Sequence, residues 1–207
     1  MNSVEEITIW SETKTGGKVV ERFDSTTTQV DLSDRRIFTT DLAPLRQFEN
    51  MEVLTLSGND LNLIDLTPLS ESTSLLELSL GGNRLEQVDL EPLSGCTSMM
   101  YLDLSFNRLK QIDLGPLAKC PDLQILHLYE NKLEALDLGP LGKCKKLRQL
   151  SLKLNELSVL DLSPLFSCSG IKKMTFDGDV TLVASSDFKE KDMPPALNAM
   201  MGMIDWK

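Results

Sequence analysis

Residues 123–146 read LQILHLYENKLEALDLGPLGKCKK, and leucine recurs through them on a fixed frame. Leu126 and Leu128 flank His127. That period of two makes a short strand, with the leucines on one face and the residues between them on the other. Asn131 follows where such a strand must end, and its amide can satisfy backbone groups that a turn leaves unpaired. Pro140 suits the start of a helical turn, because its fixed φ is preorganised there and its missing donor would be orphaned anyway.

The same frame returns every 24 residues without a gap. Upstream it gives MEVLTLSGNDLNLIDLTPLSEST from Met51, LLELSLGGNRLEQVDLEPLSGCT from Leu75 and MMYLDLSFNRLKQIDLGPLAKCP from Met99. Downstream it gives LRQLSLKLNELSVLDLSPLFSCS from Leu147. A divergent copy, TTQVDLSDRRIFTTDLAPLRQFEN, runs from Thr27 to Asn50, so six copies cover residues 27–170. Asparagine holds the ninth position in five copies, and Arg35 replaces it in the first. One coil cannot bury its own leucines, so successive coils stack strand beside strand into a solenoid.

The shared pattern LxxLxLxxNxLxxIDLxPLxxCxx resembles, in its first half, the leucine-rich-repeat family. The resemblance implies an α/β solenoid: a curved ribbon with a parallel β-sheet on the concave face and short helical turns on the convex face. It also implies a non-enzymatic scaffold that binds a protein ligand across the concave sheet. A regulatory inhibitor whose acidic face masks a basic partner is the alternative, and a purely structural repeat module is a third.

Outside the repeats the sequence predicts caps. Residues 1–26 carry EEITIW and KVVERF around SETKTGG, which reads as a β-hairpin over the first coil. Residues 171–207 are expected to hold a divergent repeat and then a capping helix, from the apolar, Met-rich MPPALNAMMGMIDW. A net charge of −10 disfavours a general nucleic-acid or anionic-membrane role. The acidic N-terminus lacks the basic start and apolar core of a secretory signal. No apolar run reaches the length of a membrane span. The expectation is a cytoplasmic monomer with no cofactor.

Two ladders invite chemistry. Cys96, Cys120, Cys144 and Cys168 stand 24 residues apart. Ser72 and Phe48 share that slot, and one column points one way into the core, so we expect buried thiols rather than disulfides or a metal site. Asp41, Asp65, Asp89, Asp113, Asp137 and Asp161 form the second ladder. Without a companion acceptor column they are expected to bond backbone donors at the proline turns, not calcium.

The concave face remains. The frame turns Tyr101, Asp103, Ile125, His127, Tyr129 and Lys153 outward, with Phe106 and Glu130 at the flanking eighth position. Equivalent positions elsewhere are mostly small or charged, so aromatic bulk at the centre answers no need of the fold. Aromatic patches ringed by charge make interaction hot spots. These eight residues are the candidate partner site. A His127–Asp103 pair is geometrically plausible and is expected to titrate near neutrality. No nucleophile motif, phosphate loop or metal-ligand spacing accompanies it, so no catalytic residue is assigned.

Overall fold

The computed structural model describes residues 5–189 and 192–207. From the N-terminus the strands are β1 (Glu6–Thr13), β2 (Lys18–Asp24), β3 (Gln29–Asp31), β4 (Ile37–Thr40), β5 (Val53–Thr55), β6 (Glu77–Ser79) and β7 (Tyr101–Asp103). They continue as β8 (Ile125–His127), β9 (Gln149–Ser151), β10 (Val159–Asp161), β11 (Lys173–Thr175), β12 (Thr181–Ala184) and β13 (Ile204–Trp206). The α-helix α1 (Pro195–Asn198) is a single turn.

The repeat frame becomes a seven-stranded parallel sheet in the order β11-β9-β8-β7-β6-β5-β3. Every residue pairs with its counterpart one repeat on: Glu77 with Tyr101, Tyr101 with Ile125, Ile125 with Gln149. The inward residues Leu54, Leu78, Leu102, Leu126 and Leu150, and Leu56 to Leu152 beside them, are fully buried. Fully burying such a side chain contributes about 1.5–3 kcal/mol before entropy is subtracted.

Asparagine closes each coil. The Asn107 Nδ2 donates to the carbonyl of Leu104 in its own coil at 3.1 Å and of Leu80 in the preceding coil at 3.0 Å. Its Oδ1 accepts from Leu85 N–H at 3.0 Å. Asn83 and Asn131 repeat this arrangement, so the Leu104 carbonyl also accepts from Asn131 at 2.9 Å. The amides thereby form a buried ladder that ties each coil to the next.

On the opposite side the IDLxPL segments make short 3-10 turns, such as Gly115–Lys119 and Gly139–Lys143, each with its proline at the start. The carboxylate two residues before each turn accepts its first N–H: Gly115 to Asp113 and Gly139 to Asp137, both at 2.7 Å. All six aspartates do the same. The ladder is therefore spent on backbone donors. The four cysteines are unpaired and buried, and each thiol donates to a leucine carbonyl in the coil before it. Burial pushes the thiols up, Cys96 and Cys144 to about 12 and Cys120 to about 11.

At the N-terminus β1 and β2 form an antiparallel hairpin whose turn uses Gly16 at φ +81°. Ile7 and Ile9 enter the core, and the other edge of β1 pairs with β4. The cap thus borrows a strand from the first repeat. Residues 1–4 of the expected cap lie outside the described residues.

The C-terminal expectation of a capping helix needs correction. The tail makes the one turn of α1, a 3-10 turn at Met201–Met203, and then β13, which pairs parallel with β12. With β10 these strands form a second three-stranded sheet. Apolar spacing suggested a helix, but Gly202 interrupts it, and the open edge of β12 offers main-chain partners to the β-favouring Ile204–Trp206. Ala196, Leu197, Met200 and Ile204 are buried, and Trp206 packs against Phe166 at 6.1 Å between ring centroids. Residues 190–191 of this segment lie outside the described residues.

Candidate functional site

Strands β7 and β8 hold the candidate residues at the middle of the sheet. Because the parallel register puts Asp103 beside His127 and Tyr101 beside Ile125, the large side chains must share space. They do so edge to face. Tyr101 meets His127 at 5.5 Å, His127 meets Tyr129 at 5.6 Å, and Tyr129 meets Phe106 at 5.1 Å, with interplanar angles of 69–79°. Four rings thereby form one chain across two coils. Such pairs contribute about 0.5–1.5 kcal/mol each beyond burial.

Hydrogen bonds hold the chain from both ends. Asp103 Oδ1 accepts the Ser105 N–H at 2.8 Å and its hydroxyl at 2.6 Å. Asp103 Oδ2 accepts the Tyr101 hydroxyl at 3.4 Å. The Tyr101 oxygen lies 3.4 Å from His127 Nδ1, and Gln149 Nε2 lies 2.8 Å from His127 Nε2. With the Gln149 amide donating, the imidazole carries its proton on Nδ1 and offers it to Tyr101. The donors then run one way across three strands, from Gln149 to His127 to Tyr101 to Asp103. Burial, and then the Asp103 charge, push the Tyr101 phenol up to about 12.

The arrangement departs from expectation at His127. Its register partner is Asp103, but the Tyr101 hydroxyl stands between them and takes the bond to the carboxylate. Burial holds the imidazole below its usual value, against the Asp103 charge and with the help of Lys173. Titration is therefore displaced below neutrality. As pH falls through about 6.5 the unfolded chain takes a proton that the folded chain resists. Folded-state stability is full above that pH and declines below it, until the folded imidazole also protonates. In urea unfolding at pH 7.5 and 5.5, wild type should lose more stability than His127→Gln; an equal loss would deny the burial effect.

Of the eight candidate residues, the structure brings Tyr101, Asp103, Phe106, His127 and Tyr129 together, with Ile125 beside Tyr101 in the same row. Glu130 and Lys153 lie at the rim, joined through the backbone by Glu130 N–H to the Lys153 carbonyl at 2.9 Å. Three contributors were missed. Gln149 reaches His127 on a diagonal, which columns of equivalent positions do not show. Ser105 anchors Asp103. Gly81 leaves the room that Asp103 uses: a β-carbon there would stand 3.0 Å from its Oδ2. The signal for Gly81 was a glycine in a column that otherwise carries serine, tyrosine, lysine or aspartate.

Both imidazole nitrogens are engaged, one by Tyr101 and one by Gln149, and the Ser105 hydroxyl donates to the Asp103 carboxylate. Among the described residues no group of three or more His, Cys, Asp or Glu side chains could hold a metal ion, and no helix is long and apolar enough to cross a membrane.

A coiled parallel sheet with buried leucine and asparagine ladders defines a leucine-rich-repeat solenoid. Comparison agrees: the family model for the leucine rich repeat matches residues 73–133 and 97–157. The chain has the leucine-rich-repeat fold. Among solved structures it is similar to internalin C2 of Listeria monocytogenes, at 26% identity and TM-score 0.61, over 86% of this chain and 70% of that one. A leucine-rich-repeat protein of Leptospira interrogans shows the same fold at 22% identity and TM-score 0.63, over 80% of this chain and 45% of that one. A further internalin of Listeria monocytogenes, inlF, matches at 22% identity and TM-score 0.57, over 87% of this chain and 60% of that one. The chain thus spans less than two thirds of each of the last two. No curated protein matches it.

Proposed function

We propose that the chain is a non-enzymatic scaffold that binds a protein ligand through its concave face, with Tyr101, His127, Tyr129 and Phe106 as the anchor. The observation that carries this reading is the ring chain itself. Elsewhere on the same face Ser57 and Ser79 pair hydroxyl to hydroxyl at 2.7 Å and the sheet needs nothing larger. Aromatic bulk, half-exposed and fixed by the Gln149-to-Asp103 hydrogen bonds, has lost its rotamer freedom before any partner arrives, which lowers the entropy cost of association. Asp103 and Glu130 on one side and Lys153 on the other supply the polar rim. The family's fold supports a protein-interaction role at the coarse level. The monomeric state and cytoplasmic setting expected from the sequence belong to this proposal, tested by sedimentation and by fractionation of native cells.

The deciding experiment captures the partner on wild-type protein, with a Tyr101→Ala/Tyr129→Ala variant as control. Affinity is then measured for a variant with Tyr101, His127 and Tyr129 all replaced by serine. That variant should fold, yet bind at least tenfold more weakly, because loss of a central anchor typically costs about 2 kcal/mol or more. Unaltered affinity would remove the function from this face.

A further inference from the structure

The eighth position of each central coil turns through the left-handed backbone region. Gly58 and Gly82 adopt φ +68°, and glycine does so without penalty. Phe106, Glu130 and Leu154 occupy the same turn at φ +52°, +53° and +60°. There a β-carbon crowds the carbonyl that follows it, so bulky side chains are costly. The fold does not ask for them. What the turn supplies is a backbone donor: Gly82 N–H to the Ser105 carbonyl, Phe106 N–H to that of Tyr129, Glu130 N–H to that of Lys153. Glycine serves that purpose as well as phenylalanine or glutamate.

Packing returns only part of that strain. Leu154 is 53% exposed and Phe106 46%, with its ring edge-on to Tyr129. The Glu130 carboxylate takes part in no ion pair or hydrogen bond among the described residues. Strain held in three consecutive coils, on side chains left half exposed, points to contact with something outside the fold.

We infer that Phe106, Glu130 and Leu154 form a rim ridge that receives an amphipathic helix of the partner protein, with a lysine or arginine set between two apolar residues. The inference rests on the concave-face reading and names what that face selects. Adjacent coils stand about 4.8 Å apart, so the three side chains rise in steps of about 4.8 and 9.6 Å. Along a helix, residues i+3 and i+7 lie about 4.5 and 10.5 Å beyond residue i. Apolar groups at i and i+7 therefore meet Phe106 and Leu154, and a cation at i+3 meets Glu130. The net charge of −10 favours the same sign of partner.

The test uses two fluorescent helical peptides with leucine at i and i+7, one carrying lysine and the other glutamate at i+3. The lysine peptide should bind wild type at least tenfold more tightly than the glutamate peptide. Glu130→Gln should abolish that preference, and Leu154→Gly should weaken the lysine peptide at least tenfold without lowering the melting temperature. Binding of neither peptide, equal binding of both, or a drop of several degrees for Leu154→Gly overturns the ridge. The native partner separates the two readings. If the triple-serine variant releases it while Glu130→Gln/Leu154→Gly holds it fully, the ridge fails and the concave site stands; if neither variant releases it, both fail.

Discussion

Deletion of residues 190–207 is expected to lower the melting temperature by roughly 10 °C or more. The segment buries Leu197, Met200 and Ile204 and lays Trp206 against Phe166. It also pairs β13 with β12, and Ala196 N–H donates to the Ile171 carbonyl at 3.1 Å. Three large buried side chains contribute about 1.5–3 kcal/mol each, and the entropy regained by freeing the tail offsets part of that. A net loss of about 4 kcal/mol corresponds to about 8–16 °C for a chain of this size. A solenoid has no other way to shield Ile171 and Leu182 of its last coil, because each coil touches only its neighbours. Thermal unfolding followed by circular dichroism measures the effect, and an unchanged midpoint would make the tail a linker.

The second large effect is at the asparagine ladder. Asn107→Ala orphans the buried N–H of Leu85 and withdraws one of two donors from each of the Leu80 and Leu104 carbonyls. One fully orphaned donor costs about 1–3 kcal/mol; with the two weakened carbonyls and the space left behind, we expect about 3 kcal/mol in all. Asn107→Asp is the sharper probe. It keeps the acceptor for Leu85 but turns a carboxylate toward two carbonyl oxygens. At pH 7 it should destabilise at least as much as alanine, and part of the loss should return on acidification as the carboxyl gains a proton. Urea titrations at pH 7 and 4.5, compared with wild type at each pH, read both effects. A neutral Asn107→Asp would mean that the amide's donors are dispensable.

What was legible in the sequence was what repeats. Leu126, Asn131, Asp137, Pro140 and Cys144 each recur at a fixed period, so their environment is multiplied and one assignment serves every coil. The aspartates' backbone bonds and the thiols' burial were readable for the same reason. The N-terminal hairpin was readable from its glycine turn, but how the ends pair with the repeats was not, because they break the period. Pairing of β1 with β4 joins an irregular strand to an atypical repeat, and β13 formed where an open edge outweighed a helical apolar spacing. Within the site, the frame placed Tyr101, His127 and Tyr129 outward but could not show contacts that cross columns. Gln149 reaches His127 diagonally, and the Tyr101 hydroxyl enters between His127 and Asp103. Burial of the imidazole, which sets the direction of its titration, is likewise a property of the packed cluster and not of any one coil. The left-handed turn at Phe106, Glu130 and Leu154 lay hidden for another reason. Only the two glycines upstream hinted at it, and three bulky residues follow them.

Oxidative footprinting of the chain, free and bound to the captured partner, tests the central claim most directly. Hydroxyl radicals modify exposed aromatic, histidine and methionine side chains, and both the concave cluster and the two caps carry such reporters. Binding through the concave face predicts strong protection of Tyr101, Phe106, His127 and Tyr129, while exposed Trp10 and Met203 react as before. Protection of Trp10 or Met203 with the four ring residues unchanged would contradict it.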